Sequence, residues 1–185
     1  MAVTIILTAI FKLKMRKIRH ATPVDVERIM KVLDAAKQVM RKAGNKHQWI
    51  DGYPTTQAVL NDIEHDGAMV IEDDDVVVAY FAFLPSPEPT YSAIYEGEWL
   101  DDTMPYHVVH RMGAVPSAKG IFASAMEYCF ARENNMRVDT HRDNKIMQHL
   151  FTKHGFHYCG IIYLANGDER LAYQKIQSTR TSNSL

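Results

Sequence analysis

The alternation of apolar and polar positions along the chain predicts a mixed succession of strands and helices. Arg16 to Ala21 reads as a short strand that stops at Thr22-Pro23, where Thr22 suits an N-cap and Pro23 the first helical position. Val26, Ile29, Met30, Leu33, Ala36, Lys37 and Met40 follow at near-helical spacing and predict an amphipathic helix over Pro23 to Lys42. Gly44-Asn45 stops that helix, with Arg41 and Lys42 favourable in its last turn. A loop rich in aromatic and turn residues, 47–54, leads to a shorter helix capped by Thr55 or Thr56 and ending near His65. Ala68 to Glu72 and Val76 to Leu84 read as strands joined by the polar turn Asp73-Asp74-Asp75. Pro85, Pro87 and Pro89 then open an irregular stretch that lasts to about Pro105.

The second half is more tightly patterned. Tyr106 to Val115 is a predicted strand, Ile121 to Asn134 a helix, Met136 to Thr140 a strand, and Asp143 or Asn144 to Lys153 a helix. Gly155 suits the left-handed position after that helix. Phe156 to Ala165 and Arg170 to Ile176 form a hairpin around Asn166-Gly167. The turn from Val115 to Gly120 sits between a strand and a helix start. Free backbone N–H groups there, with the helix dipole behind them, suit an anion such as a pyrophosphate. Neither GxxxxGK[ST] nor GxGxxG occurs, which disfavours a P-loop nucleotidase or a dinucleotide fold.

Composition narrows the picture. A chain of 185 residues supports one domain with a proper core, and its net charge of −1 gives no footprint for nucleic acid. The two cysteines, Cys129 and Cys159, match neither a metal motif nor a disulfide framework, so a reducing cytoplasm is the simplest compartment. Residues 2–11 are apolar but too short to span a bilayer and lack secretory-signal features, so no membrane partner is expected. We read residues 1–14 as an extension outside the core, an extra edge strand being the alternative. Residues 15–177 form the domain and residues 178–185 a polar tail.

Two segments carry a family resemblance. Ser117-Ala118-Lys119-Gly120-Ile121-Phe122 aligns with the pattern [QR]-x-x-G-x-[GA]; Gly120 is kept, while Ser117 and Phe122 depart from it. The run from Asn144 to Phe156 aligns with N-x-x-A-x-x-L-Y-x-K-x-G-F, with Met147 for Ala and Phe151 for Tyr. In this order, from about Met15 to Ile176, they resemble the GNAT superfamily of N-acetyltransferases. The resemblance implies a mixed, mostly antiparallel sheet with a splayed parallel strand pair and flanking helices. It also implies acetyl-CoA as cosubstrate, with Met112, Gly113, Ala114 and Val115 as the strand edge that pairs with pantetheine. Ser117 to Phe122 (Ser117, Ala118, Lys119, Gly120, Ile121, Phe122) would form the pyrophosphate loop, with Asn144 beside the cofactor. Dimers are common in the family, so a homodimer is one expectation.

The resulting functional expectation is acetyl transfer to the amine of a small molecule or peptide in a direct ternary complex. The alternative is a non-catalytic acyl-CoA-binding or sensor domain, favoured by Phe151, which has no proton for a leaving thiolate where the family has Tyr. His110 is the preferred base, with His141 a second candidate, because imidazole as a class titrates near neutral pH. Alternation puts His107 on the opposite face from His110. Tyr158 and Tyr163 are candidate substitutes for the absent phenol. Trp49, Tyr53, Glu96 and Trp99, with Tyr91, Tyr95, Glu98, Asp101 and Asp102, offer aromatic walls and negative charge for an amine. The spacing of His149, His154 and His157 fits no zinc motif, so no metal site is expected.

Overall fold

A computed structural model describes residues 15–178. The proposed extension, residues 1–14, lies outside the described residues, as does nearly all of the polar tail. Among the described residues, seven strands form one sheet: β1 (Arg16–His20), β2 (Ala68–Asp73), β3 (Val76–Pro85), β4 (His107–Ala114), β5 (Asn135–Thr140), β6 (His157–Tyr163) and β7 (Glu169–Ile176). Their order is β1-β2-β3-β4-β5-β7-β6, antiparallel throughout except for the parallel pair β4–β5. Four α-helices of the described residues flank it: α1 (Val26–Lys42), α2 (Thr56–Glu64), α3 (Ile121–Phe130) and α4 (Lys145–Lys153).

Three apolar clusters hold the layers together. On one face, α3 and α4 bury Ile121, Phe122, Ala125, Met126 and Phe151 against Met69, Ile71, Phe81, Met136 and Val138. On the other, Ile29, Val32, Leu33 and Ala36 of α1 pack with Trp49 onto Val70, Val77 and Tyr80. The irregular segment between β3 and β4 covers the rest of that second face, where Tyr91 and Trp99 bury Val108, Ile162 and Ala172. Arg137 anchors this cover: its guanidinium is sandwiched between the rings of Trp99 (4.0 Å) and Tyr106 (3.9 Å) and bonds the Asp101 carbonyl and Asp102 carboxylate, both at 2.8 Å.

Two element ends differ from the sequence pattern. The first helix opens with a 3-10 turn at Pro23–Asp25, because the Asp25 carboxylate reaches back to the Thr22 N–H at 2.8 Å and tightens the first turn. The helix expected to reach Asn134 ends at Phe130, since Asn135 already pairs with Ile176 in the sheet and the chain needs the intervening residues to turn.

The feature that shapes the site is in β4. Ala82 faces His110 and Tyr80 faces Gly113, so two β4 residues, Arg111 and Met112, oppose Phe81 alone. This is a β-bulge, and Arg111 adopts a left-handed φ of 54° within it. Already before the bulge β4 has parted from its parallel neighbour. The β4–β5 pair is limited to His107 with Met136 and Val108 with Arg137; beyond these the strands diverge.

Candidate active site

The divergence of β4 and β5 opens a cleft of about 790 Å³. Its walls come from the β4 edge, from α3 and α4, and from the α1–α2 loop. This size is typical of a small-molecule site.

At the fork, His110 of β4 and Asp139 of β5 face each other two residues beyond the last paired positions, with His110 Nδ1 3.6 Å from Asp139 Oδ1. The other imidazole nitrogen, Nε2, lies 3.1 Å from Glu88 Oε2. Glu88 is fixed in turn by the Thr90 N–H (3.1 Å) and hydroxyl (2.9 Å). Asp139 accepts the Tyr91 hydroxyl at 2.7 Å, and the Arg170 guanidinium stands 4.0 Å away. Burial alone would raise the Glu88 carboxyl, but hydrogen bonds from His110 and Thr90 outweigh it and bring it down to about 2. Glu88 is therefore a carboxylate at any ordinary pH, and His110 is bracketed by acidic side chains on both nitrogens.

The bulge carries a second network. The Arg111 guanidinium forms a two-pronged pair with the buried Asp62 of α2, which also accepts the Tyr80 hydroxyl. A further Arg111 nitrogen donates to Tyr53 Oη at 3.0 Å. This network ties α2 and the α1–α2 loop to β4, and so fixes one wall of the cleft. Gly113 lets that wall close up: a Cβ there would stand 3.1 Å from Ala36 and Leu33 atoms and 3.6 Å from the Trp49 ring.

At the outer end the chain turns through Pro116–Gly120 into α3. Gly120 has φ 70°, and a Cβ there would meet only Arg16 Nη1, at 3.7 Å. The Ala118 N–H is donated to the Val115 carbonyl at 3.0 Å, and the Val115 N–H to Val78 at 2.9 Å. Neither is therefore free for a ligand, contrary to the expectation for Ala118. The open donors are those of the helix start, Gly120 to Phe122. Arg16, which bonds Asp73 and Ser124, and Lys119, which bonds the Pro116 carbonyl, bring positive charge to this end. A glycine turn with an open Cβ side, helix-start donors and a strand edge without a partner strand together fit a phosphate-bearing thioester.

Of the residues singled out in the sequence, Trp49, Tyr53, His110, Met112, Gly113, Ala114, Ile121, Phe122 and Asn144 line the cleft. Ser117, Lys119 and Gly120 form the turn at its outer end. His141 stands beside the cleft, not in its lining, next to His47 and Asp143. Trp99 is buried on Arg137 away from the cleft, and Glu96 sits in a left-handed bend near the β6 edge, also outside it. Asp101 and Asp102 bond the Thr103 turn and Arg137, not the cleft. Phe151 is buried in the cleft wall against Phe122, Phe156 and Tyr173, at ring separations of 5.8, 5.7 and 5.0 Å. Tyr158 and Tyr163 are exposed and do not reach the cleft. Asn144 caps α4 by accepting the Met147 N–H at 3.1 Å, and its amide donates to Gln48 Oε1 at 2.9 Å across the cleft. Burial pushes the Cys129 thiol up to about 12 and raises that of Cys159, so neither is an activated nucleophile.

The sequence reading missed Glu88 and Asp139. Asp139 had a signal: it is an acidic residue in an otherwise interior strand. Glu88 had none, since its approach to His110 depends on the path of a proline-rich segment.

No family model matches the sequence, and no curated protein does. Solved structures do match. A GNAT-family acetyltransferase from Streptococcus agalactiae is 33% identical, with a TM-score of 0.80 over 88% of this chain and 96% of that one. One from Listeria monocytogenes is 17% identical (TM-score 0.65, covering 89% and 99%). A polyamine N-acetyltransferase from Drosophila melanogaster is 11% identical (TM-score 0.61, covering 88% and 100%). The last two share the fold; the first, at its identity and coverage, shows kinship as well. With the bulged β4 and the splayed β4–β5 pair, this establishes that the chain belongs to the GNAT family of acetyltransferases.

Proposed function

We propose that the protein transfers an acetyl group from acetyl-CoA to the amine of a small molecule or peptide, in a ternary complex without an acyl-enzyme. The observation that carries this reading is the Glu88–His110–Asp139 array at the fork of the splayed strands. An acceptor amine reaches neutral pH as an ammonium and must lose a proton before it can attack. Glu88 and Asp139 place negative charge where an ammonium would enter, and His110 between them is the group that accepts its proton. Trp49 and Tyr53 also line the cleft and supply aromatic surface for a cation.

Acetyl-CoA supplies an acyl group already activated as a thioester. The β4 edge from Met112 to Ala114 and the N–H groups of Gly120 to Phe122 are the groups suited to hold it. In the net reaction the ammonium loses two protons, one to His110 and one to the departing sulfur. Phe151 contributes none. Its ring, with Phe122, makes the sulfur end of the cleft apolar, which also supports a second reading as an acyl-CoA-binding domain without turnover.

The test is release of free CoA thiol from acetyl-CoA with a panel of primary amines. The catalytic reading predicts amine-dependent release that falls at least tenfold in His110→Ala, in line with the loss of a positioned base, while acetyl-CoA affinity stays unchanged. Equal turnover in His110→Ala would remove His110 from the chemistry. Tight acetyl-CoA binding with no release for any amine would favour the second reading.

A further inference from the structure

We infer that His47, His141 and Asp143 form a site for a single borderline divalent cation of the zinc class, beside the cleft where the α1–α2 loop meets the β5–α4 turn. His47 Nδ1 lies 2.8 Å from Asp143 Oδ2, and His141 Nδ1 lies 3.6 Å from the same oxygen. One ligand atom from each of the three residues falls within 4.8 Å of the others. In a tetrahedral zinc site, with metal–ligand bonds of about 2.0–2.2 Å, neighbouring ligand atoms stand roughly 3.3 Å apart. Small side-chain rotations therefore convert the present arrangement into a coordination shell.

Two features prepare the residues for this role, and one local bond must open. His141 Nδ1 accepts the Asp143 N–H at 3.0 Å, which uses that nitrogen's single lone pair, so a cation bound at Nδ1 replaces this hydrogen bond. His141 and Asp143 share a tight turn, closed by the Asn144 N–H on the His141 carbonyl at 2.9 Å and followed at once by α4. His47 comes from the other side of the cleft, where its neighbour Gln48 accepts the amide hydrogens of Asn45 and Asn144, both at 2.9 Å. The His47 side chain is 72% exposed, leaving an entry path and a fourth position for water. Two imidazoles and one carboxylate favour zinc over magnesium, which prefers an all-oxygen shell. No sequence motif announces the site, because His47 and Asp143 are 96 positions apart.

A cation there would fasten the α1–α2 loop, which carries Trp49 and Tyr53, to the β5–α4 turn. This inference does not rest on acyl transfer, and its test reads metal directly. The full chain, free of any histidine tag and stripped of metal, is titrated calorimetrically with Zn²⁺, and with Co²⁺ for its visible absorption. The expected result is one Zn²⁺ per chain at micromolar concentration, a nitrogen- and oxygen-ligated Co²⁺ spectrum, and no response to Mg²⁺. One-to-one binding should be lost in His47→Ala and in Asp143→Ala, and kept in His149→Ala on the exposed face of α4. His47 is at the surface, so His47→Ala is a variant expected to fold. Absence of Zn²⁺ binding in the unsubstituted chain, or binding by His47→Ala equal to it, would overturn the proposal.

Discussion

Arg111 shows how one residue can link fold and site. It takes a left-handed backbone to make the β4 bulge, and its guanidinium neutralises Asp62, which is only 4% exposed. Removing one member of a buried ion pair strands the other charge, a cost of about 3–5 kcal/mol, against ~1 kcal/mol or less for an exposed pair. Arg111→Ala should therefore lose stability in the larger range, read from the urea midpoint; a loss in the smaller range would mean that Asp62 is not relying on Arg111. His110 and Glu88 differ from this pair in that the expected cost of their loss falls on turnover, under the proposed role of His110, and on the acid side of the stability profile. Neither network was readable in the chain. Arg111 and Asp62 are surface-type residues in sequence, and only the bulge and the approach of α2 bury them together. His110 was readable as a candidate because it sits on the strand that precedes the glycine turn.

At the scale of elements, the periodicity of α1, the Asn166-Gly167 hairpin and the Val108–Gly160 succession were legible because each depends on local rules of spacing, capping and turn chemistry. The β4–β5 splay follows from long-range pairing and came only through the resemblance. The segment between β3 and β4 was legible as irregular but not in its course, since Arg137 fixes it by stacking between Trp99 and Tyr106. For that reason Trp99, a reasonable aromatic wall in sequence, is instead a structural anchor, while Glu88 from the same segment reaches the fork. The turn from Pro116 to Gly120 is legible in sequence as a glycine turn at a helix start, but the Ala118 N–H is internally bonded, which narrows the proposed anion site to the helix start itself.

For the whole molecule, no helix among the described residues is long and apolar enough to cross a membrane. Its pH dependence should reflect carboxylates held in the charged form. Glu88 titrates at about 2 in the folded protein, against 4.5 for the free side chain. A depressed carboxylate stabilises the fold fully above the unfolded value and progressively less as pH falls toward the folded one. The stability difference between the native sequence and Glu88→Gln should thus be constant above about pH 4.5 and shrink between about 4.5 and 2. Asp25, lowered chiefly by its hydrogen bonds from Arg19, adds to the same acid-side loss in both proteins. A difference that stays constant down to the lower limit would show that Glu88 is not held ionised by its partners.

The proposed acyl-CoA site in the splayed cleft is tested most directly by calorimetric titration of acetyl-CoA into the native sequence and into Gly120→Glu. Gly120 combines a left-handed backbone with the position beside the helix-start donors, so Glu adds strain, bulk and negative charge where a phosphate would sit. The expected result is one acetyl-CoA per chain for the native sequence, and binding at least tenfold weaker for a Gly120→Glu protein that remains folded. Equal affinity in the two proteins, or no binding by the native sequence at millimolar ligand, would contradict the account.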